Sequence, residues 1–544
     1  MTRPPLVRSR TRRSRRRSRA ATIAVAAVVA STFSALAPAP ASGERISTAR
    51  VAVADLVVRT PYGAVRGRSV GGAQAFLGLP FAKPPVYGRM WKPPVPPAAW
   101  RGVRDATEQE AACLQFEPTG VKNGQPTSLD CLYLDVYRPS RVPPGRRLPV
   151  MVFFHGGAGT QGSGVLYGGQ TMAERNDVIV VSTNYRLGAS GNLALPALDA
   201  ENPATGGNFA VLDQVQTLRW VRRSIGAFGG DRRNVTIFGQ SAGSRAVCNM
   251  LATPLTRGMF HRAVMQSSPC LGGGTTAQEA HQRSEAYAAA LGCPAGVDQL
   301  RCLRYAWPAA MVQQFATNRP SAYIGAAALP EAPGDAIAAG RWHKVPVLMG
   351  NTRWEQKLQN QQYADIGGEE YEAMVIAQFG EQAGRMVLEE YPAEDYEKPF
   401  YALAAMRTDA GAGCTMDTNA RLFAGQRVPV YRYEFDDPTS PTLFGFQPAG
   451  TDMSSAHSAE LAYLFDFTLG HRPLSGRERR LARSMQDYWA AFARTGRPNA
   501  RGEVRWPRYT EAGDRALKLA PRIQVVTGLR EEHNCDFFDS LPDA

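Results

Sequence analysis

The chain has 544 residues, 44% of them hydrophobic and 9% aromatic, so it can bury a large core and falls outside the disordered class. Its net charge is +14, but nine arginines within the first 19 residues supply most of it, and removing residues 1–41 leaves +5 on 503 residues. This small net charge argues against a nucleic-acid-binding protein.

The first 41 residues have the pattern of a secretory signal peptide. A basic segment without acids precedes an apolar run from Ala20 to Ala37, and Ala39-Pro40-Ala41 offers a small-residue cleavage site before Ser42. The run is rich in alanine and interrupted by Thr32 and Ser34, which disfavours a membrane-spanning helix. We predict a cleaved signal at 1–41 and a secreted mature protein at 42–544. The paired arginines leave open whether export follows the general or the twin-arginine route.

The eight cysteines are consistent with export to an oxidising compartment, where disulfides persist. None stands in a CxxC or a Cys/His spacing typical of metal sites, and eight cysteines allow 105 complete pairings. We predict neither a metal nor an organic cofactor.

Apolar strands alternate with helical periodicity along the mature chain. Strands are predicted as a pair within 51–68 and at 131–137, 148–154, 178–184, 235–238, 263–267, 345–349 and 428–435. Helices are predicted at 211–224, 277–291, 368–379 and 474–495. The alternation indicates an α/β fold in one domain, with a large, mostly parallel twisted sheet and helices on both faces.

The most informative segment is FGGDRRNVTIFGQSAG, residues 228–243. A short β-branched run is followed by Gly239-Gln240-Ser241-Ala242-Gly243 and then by a stretch with helical character. A Gly-x-Ser-x-Gly sequence between a strand and a helix is the nucleophile-elbow pattern, which exposes the serine hydroxyl above the sheet. The pattern predicts Ser241 as a nucleophile, although an ordinary serine in a glycine-rich turn would give the same letters.

A second glycine-rich turn, His155-Gly156-Gly157-Ala158-Gly159, follows the predicted strand at 148–154. Without side chains, its backbone N–H groups could approach a substrate carbonyl, as an oxyanion hole requires. The turn precedes the serine by about 85 residues, which is the order found in α/β-hydrolases. That order predicts an acid next and a histidine last.

Glu355 and His457 are the candidates for these two positions. Glu355 follows the predicted strand at 345–349, and His457 opens a predicted helix within the segment HSAELAYLF. Taken alone, each would more often be an ordinary surface residue.

Several segments together resemble the type-B carboxylesterases, the family of cholinesterases, animal carboxylesterases and bacterial para-nitrobenzyl esterases. The segment at 228–243 is similar to the family's serine signature, and LDCLYLDVYRP to its second signature, except that Leu129 stands where an acid is usual. Further similar segments are FLGLPFAKPP, NYRLGASG, GNFAVLDQVQTLRWV, VPVLMGNTRWE, HSAELAYLF and YWAAFARTGRPN.

The resemblance implies an α/β-hydrolase fold and a carboxylic ester hydrolase. It implies the catalytic triad Ser241, Glu355 and His457. Its further implications are an oxyanion hole formed by the amides of Gly157, Ala158 and Ala242, and the disulfides Cys113–Cys131, Cys293–Cys302 and Cys414–Cys535. Cys248 and Cys270 remain as an open fourth pair.

Four departures from the family pattern involve five positions. Gln240 replaces the usual Glu before the serine, Trp354 and Gln356 replace the usual residues beside Glu355, and Asn192 replaces a usual Phe. Gly159 stands where a bulky residue is common, which suggests a roomier pocket beside the oxyanion hole. None of these changes removes a catalytic atom.

The implied reaction is hydrolysis of carboxylic esters through an acyl-enzyme intermediate, with a small-molecule ester as the only expected partner. One alternative is a lipase or sterol esterase that acts at lipid surfaces. Another is a non-catalytic adhesion protein of the same fold, which the presence of all three triad residue types disfavours. The sequence leaves the natural ester and the oligomeric state open.

Overall fold

The structure is a computed structural model that describes residues 56–115, 126–143, 145–203, 205–272, 274–315, 322–443, 447–467 and 472–542. The segment 1–41, which carries the signal-peptide prediction, lies outside these residues. The described residues belong to one compact unit.

The strands, in chain order, are β1 Val57–Thr60, β2 Gly63–Arg66, β3 Arg68–Val70, β4 Ala73–Pro80, β5 Val103–Asp105, β6 Ala112–Cys113, β7 Thr127–Ser128, β8 Tyr133–Pro139, β9 Leu148–Phe154, β10 Tyr167–Gly168, β11 Ile179–Thr183, β12 Gly230–Gln240, β13 Arg262–Gln266, β14 Val347–Thr352, β15 Val430–Phe435, β16 Asp466–Phe467, β17 Arg515–Leu519 and β18 Gln524–Thr527.

One large sheet dominates, with the eleven-strand order β18-β17-β15-β14-β13-β12-β9-β11-β8-β4-β3. Its centre, from β17 to β11, is parallel throughout, and antiparallel strands complete both edges. The predicted mostly parallel sheet is therefore confirmed. In the smaller sheets, β2 pairs with β1 and β5, β6 with β7, and β10 with β16.

The helices, in chain order, are α1 Gln170–Asn176, α2 Gly188–Gly191, α3 Pro196–Glu201, α4 Phe209–Ser224, α5 Ala242–Ala252, α6 Ala277–Ala290, α7 Gln299–Arg304, α8 Pro308–Phe315, α9 Pro333–Ala338, α10 Gln356–Gln359, α11 Gly368–Phe379, α12 Glu381–Glu390, α13 Pro399–Arg407, α14 Cys414–Gly425, α15 Leu461–Leu464, α16 Gly476–Thr495, α17 Leu529–Glu532 and α18 Cys535–Asp539. A π-helical segment, Thr408–Gly413, joins α13 to α14.

Side chains of β9 alternate between two cores, one on each face of the sheet. Val150 and Val152 pack with apolar residues of α4, α5 and α14, whereas Met151 and Phe153 pack with residues of α1, α15 and α16. The predicted cover of helices on both faces is confirmed. Because the parallel strands all end at the same edge, the loops that follow β9, β12 and β14 come together there.

Most predicted elements occur with shifts of a few residues, and one local prediction is wrong. His457 does not open a helix: it lies in a turn, and α15 begins only at Leu461. The segment bends because Ser455 and Ser458, on either side of it, both have positive φ angles.

Candidate active site

Ser241 lies at a sharp turn between β12 and α5. Its backbone has φ 57° and ψ −121°, a conformation that is rare for a residue with a side chain, and its amide donates to the Gln266 carbonyl oxygen at 2.8 Å. The turn projects the serine side chain beyond the carboxyl edge of the sheet. Backbone strain of this kind costs about 1–3 kcal/mol and concentrates at functional sites.

The glycines on both sides of Ser241 are required by close backbone approach. A Cβ atom on Gly239 would lie 2.2 Å from the Gly243 carbonyl oxygen, and one on Gly243 would lie 1.9 Å from that of Phe154. Any side chain at either position would force the elbow open.

The glycine-rich turn after β9 lies directly against the elbow. A Cβ atom on Gly156 would lie 3.3 Å from Ser241 Cβ. Gly157 and Ala158 have φ angles of 105° and 57°, and within the described part of the chain their amides form no hydrogen bond. Ala242 is the first residue of α5, so its amide has no acceptor inside the helix. The structure therefore brings three uncommitted main-chain donors to the neighbourhood of Ser241.

Glu355 lies three residues beyond the end of β14 and is 2% exposed. Its Oε1 accepts a hydrogen bond from the Thr352 amide at 2.8 Å, and its Oε2 accepts one from His457 Nδ1. Burial by itself raises the pKa of Glu355, but the charge and hydrogen bond of His457 outweigh it, so the pKa lies below its usual range. The carboxylate is thus ionised and fixes the imidazole with its proton on Nδ1.

The link between Ser241 and His457 is not made in this conformation. Among the described residues no hydrogen bond joins the Ser241 hydroxyl to the imidazole; instead, His457 Nε2 lies 3.1 Å from the side-chain nitrogen of Gln240, the residue before Ser241. The structure therefore brings His457 to Glu355 on one side and to the elbow on the other.

Comparison with known proteins assigns the chain and its fold to a family. Residues 54–538 match the model of the carboxylesterase family. The para-nitrobenzyl esterase of Bacillus subtilis (strain 168) is 32% identical over 511 residues, which cover 89% of this chain and 99% of that protein. The fumonisin B1 esterase of Sphingopyxis macrogoltabida is 33% identical, with 84% and 85% covered. A solved structure of a PNB esterase superimposes with a TM-score of 0.74 at 30% identity, covering 89% of this chain and all of that one.

The chain belongs to the carboxylesterase family. It is an ester hydrolase of the serine type, so the resemblance and the α/β-hydrolase fold inferred from the sequence are confirmed.

A second buried acid stands beside the imidazole of this carboxylesterase. Glu460 is fully buried, accepts a hydrogen bond from Gln266 Nε2 at 3.2 Å, and has its pKa raised to about 7 by burial and by the charge of Glu355. Burial lowers the pKa of His457, but the Glu355 carboxylate, with a contribution from Glu460, outweighs it and raises that pKa above its ordinary value.

A buried lysine connects the loop of Glu355 to the loop of His457. Lys357 Nζ lies 4.6 Å from the centre of the Trp354 ring and donates to the Ser454 carbonyl oxygen and to Asp452, each at 3.2 Å. The Trp354 amide also donates to the Ser455 carbonyl oxygen at 3.0 Å. Trp354, a departure from the family pattern, is therefore part of a second connection between the two loops.

The sequence did not identify several of these supporting residues. Gln266 and Lys357 carry no motif, and their roles depend on contacts between distant segments. Glu460 could have been noticed as an acid three residues after His457 in HSAELAYLF, and Gln240 was noted only as a departure.

All eight cysteines are paired. The disulfides are Cys113–Cys131, Cys248–Cys270, Cys293–Cys302 and Cys414–Cys535. The pair Cys248–Cys270, which the sequence left open, joins α5 to the loop after β13.

Within the described ranges, no helix is long and apolar enough to cross a membrane. No cluster of three or more His, Cys, Asp or Glu side chains there is arranged to hold a metal ion.

Proposed function

We propose that the protein is a secreted serine carboxylesterase in which Ser241 is the nucleophile, His457 the general base and Glu355 the acid that orients the base. The observation that carries this proposal is the position of His457. Its Nδ1 is bound to a buried carboxylate, while its Nε2 faces the side chain next to Ser241. The proposal requires His457 Nε2 to exchange Gln240 for the serine hydroxyl, and catalytic hydrogen bonds commonly tighten only when substrate binds.

The amides of Gly157, Ala158 and Ala242 form the oxyanion hole in this proposal. They come from two turns that meet at Ser241, and the proximity of Gly156 to Ser241 Cβ supports this placement. Such donors stabilise charge that develops only in the transition state, and each is worth about 3 kcal/mol of barrier.

Hydrolysis then proceeds in two acyl-transfer steps. Ser241 Oγ attacks the ester carbonyl as His457 Nε2 takes its proton, and the amides bind the negative carbonyl oxygen. The tetrahedral intermediate collapses, the C–O bond to the alcohol breaks, and the imidazolium returns the proton to the leaving oxygen. A water molecule deprotonated by His457 releases the acid and restores Ser241.

Secretion of a mature 42–544 domain after cleavage of the 1–41 segment is part of the proposal. The N-terminal sequence pattern supports it, and so do four disulfides within the described part of the chain, because disulfides persist in oxidising compartments.

The experiment that tests this function is hydrolysis of nitrophenyl esters from acetate to palmitate by the wild type and by Ser241→Ala. We expect wild-type turnover of the shorter esters and its loss in the variant. A strong preference for palmitate would instead support a lipase. No turnover of any ester would contradict the proposal and favour an adhesion protein.

A further inference from the structure

The side chain of Gln240 occupies the space between the imidazole and the glycine-rich turn at residues 155–159, which we call the oxyanion turn. Gln240 is the last residue of β12 and is 2% exposed. Its Nε2 lies 3.1 Å from His457 Nε2, and its Oε1 lies over Gly156, where an added Cβ would come within 2.8 Å of that oxygen. The nitrogen of the amide therefore contacts the imidazole, and its oxygen lies against Gly156.

The protonation of His457 determines what this contact is. Because Nδ1 donates to Glu355, a neutral imidazole carries a lone pair on Nε2. The side-chain nitrogen of glutamine can only donate. The amide therefore donates to the lone pair that must later accept the Ser241 proton. A protonated Nε2 has no lone pair and would require the amide oxygen instead.

We propose that Gln240 is a positioning residue that holds the resting His457 through its Nε2 lone pair and competes with the Ser241 hydroxyl for it. This inference rests on the proposed function of His457 as the base. Gln240 exchanges no proton: the hydrogen bond from its amide breaks, one from Ser241 Oγ forms, and the serine proton moves to Nε2. The lack of a side chain on Gly156 gives the amide room to turn and present Oε1 to the imidazolium.

The competition has a consequence for the pH profile. The charged and titratable groups that face the imidazole are Glu355 after β14, Glu460 on its own segment and Arg245 on α5. Of these, the Glu355 carboxylate and the ionised form of Glu460 stabilise the protonated imidazole, and Arg245 opposes it. A hydrogen bond donated to the neutral form also opposes protonation, so Gln240 holds the apparent pKa of the base down.

The test is the acid limb of the pH dependence of kcat/KM for a nitrophenyl ester in Gln240→Met and Gln240→Glu. Removal of one hydrogen bond of ordinary strength should raise the apparent pKa by about 0.5–1 pH unit in Gln240→Met. Gln240→Glu should raise it further, because a carboxylate cannot donate to Nε2 and attracts its proton. The pH dependence of inactivation by phenylmethanesulfonyl fluoride should give apparent pKa values in the same order, and this measurement does not depend on substrate binding.

Gln216→Met is the matched control. Gln216 is also 2% exposed, but its amide donates to the Phe81 carbonyl oxygen and does not contact the imidazole. This control should lose stability without a shift of the acid limb. If the acid limbs of both Gln240 variants coincide with that of the wild type, Gln240 does not compete with Ser241 for His457 Nε2. Activity in Ser241→Ala would instead refute the proposed function.

Histidine-selective ¹⁵N NMR of Ser241→Ala provides a reading that needs no variant at position 240, because the serine hydroxyl can no longer donate to the imidazole. Above the acid limb, we expect the Nε2 resonance of His457, assigned by its loss in His457→Gln, at the position of a hydrogen-bonded lone pair. A resonance at the position of a free lone pair would overturn the proposal.

Discussion

His457 Nδ1 donates a hydrogen bond to Glu355 Oε2 across 102 residues of sequence. The other carboxylate oxygen is held by the Thr352 amide, so Glu355 cannot turn without losing a second partner. We expect Glu355→Gln to lower kcat by about 10³–10⁴-fold, because a neutral amide neither fixes the tautomer nor stabilises the imidazolium. Steady-state kinetics with a short nitrophenyl ester measures the effect.

Glu478→Gln is a control for loss of a buried carboxylate. Glu478 is fully buried and binds Arg472 at the start of α16. This variant should be less stable but should keep its kcat. A Glu355→Gln enzyme with nearly wild-type kcat would show that the acid of the triad is another residue.

Lys357 holds the turn that leads to His457. In Lys357→Met, the hydrogen bond to the Ser454 carbonyl oxygen and the contact with the Trp354 ring are both lost. We expect kcat to fall between about 10- and 100-fold with little change in KM, because small displacements of a catalytic group are costly. Lys518→Met is the matched control, since Lys518 pairs with Glu434 and Glu532 instead. Equal kinetic losses in both variants would mean general destabilisation.

Gly159 borders open space beside the oxyanion turn. Its φ is 75°, and a Cβ there would meet no atom within 4 Å. We expect Gly159→Phe to reduce kcat/KM for nitrophenyl benzoate relative to acetate by about 10- to 200-fold, the range for filling an apolar pocket. Gly258→Phe imposes similar strain at φ 71°, also in open space, and should leave the ratio unchanged. A Gly159→Phe enzyme that hydrolyses the benzoate ester as well as the wild type does, relative to acetate, would count against the roomier pocket.

His533 is a fully buried histidine held between two carboxylates. Its ring is not exposed to solvent. Nδ1 lies 2.6 Å from Asp409 Oδ1, Nε2 lies 2.7 Å from Glu434 Oε1, and Gly413 packs against the ring. Burial alone lowers the His533 pKa, but the hydrogen bonds and charges of the two acids raise it to about 8 from an ordinary 6.5.

A folded-state pKa above the unfolded one stabilises the protein below the unfolded value. This contribution, about 2 kcal/mol from the difference of the two pKa values, is complete below pH 6.5 and is lost as the pH rises through about 8. The difference in unfolding free energy between the wild type and His533→Gln should shrink by that amount over this range. Denaturant unfolding at the two pH extremes measures it, and a constant difference would exclude an imidazolium at this position.

Elements with a strong local pattern were predictable from the sequence. Strand β9 and helix α11 have the predicted bounds, because a continuous apolar run and a regular helical period leave few alternatives. The edge strands β3 and β18, and β17 between β18 and β15, were missed, since such short strands have no distinctive pattern and depend on pairing with a neighbour. The π-helical segment also has no distinctive pattern in the sequence; its last residue, Gly413, lies against the His533 ring.

At the site, the sequence predicted residue types and chain order, and the resemblance supplied the identity of the acid and the histidine. The contact of Gln240 with His457 could not be foreseen. A residue next to the nucleophile can point in several directions, and only the packing of the oxyanion turn around Gly156 decides which one.

The most direct test of the account is covalent labelling with a fluorophosphonate, followed by mass spectrometry of the peptides. We expect one adduct on the wild type, located on Ser241, with no adduct in Ser241→Ala and much slower labelling in His457→Gln. An active enzyme labelled at another residue, or labelled at Ser241 equally fast without His457, would contradict the proposed triad.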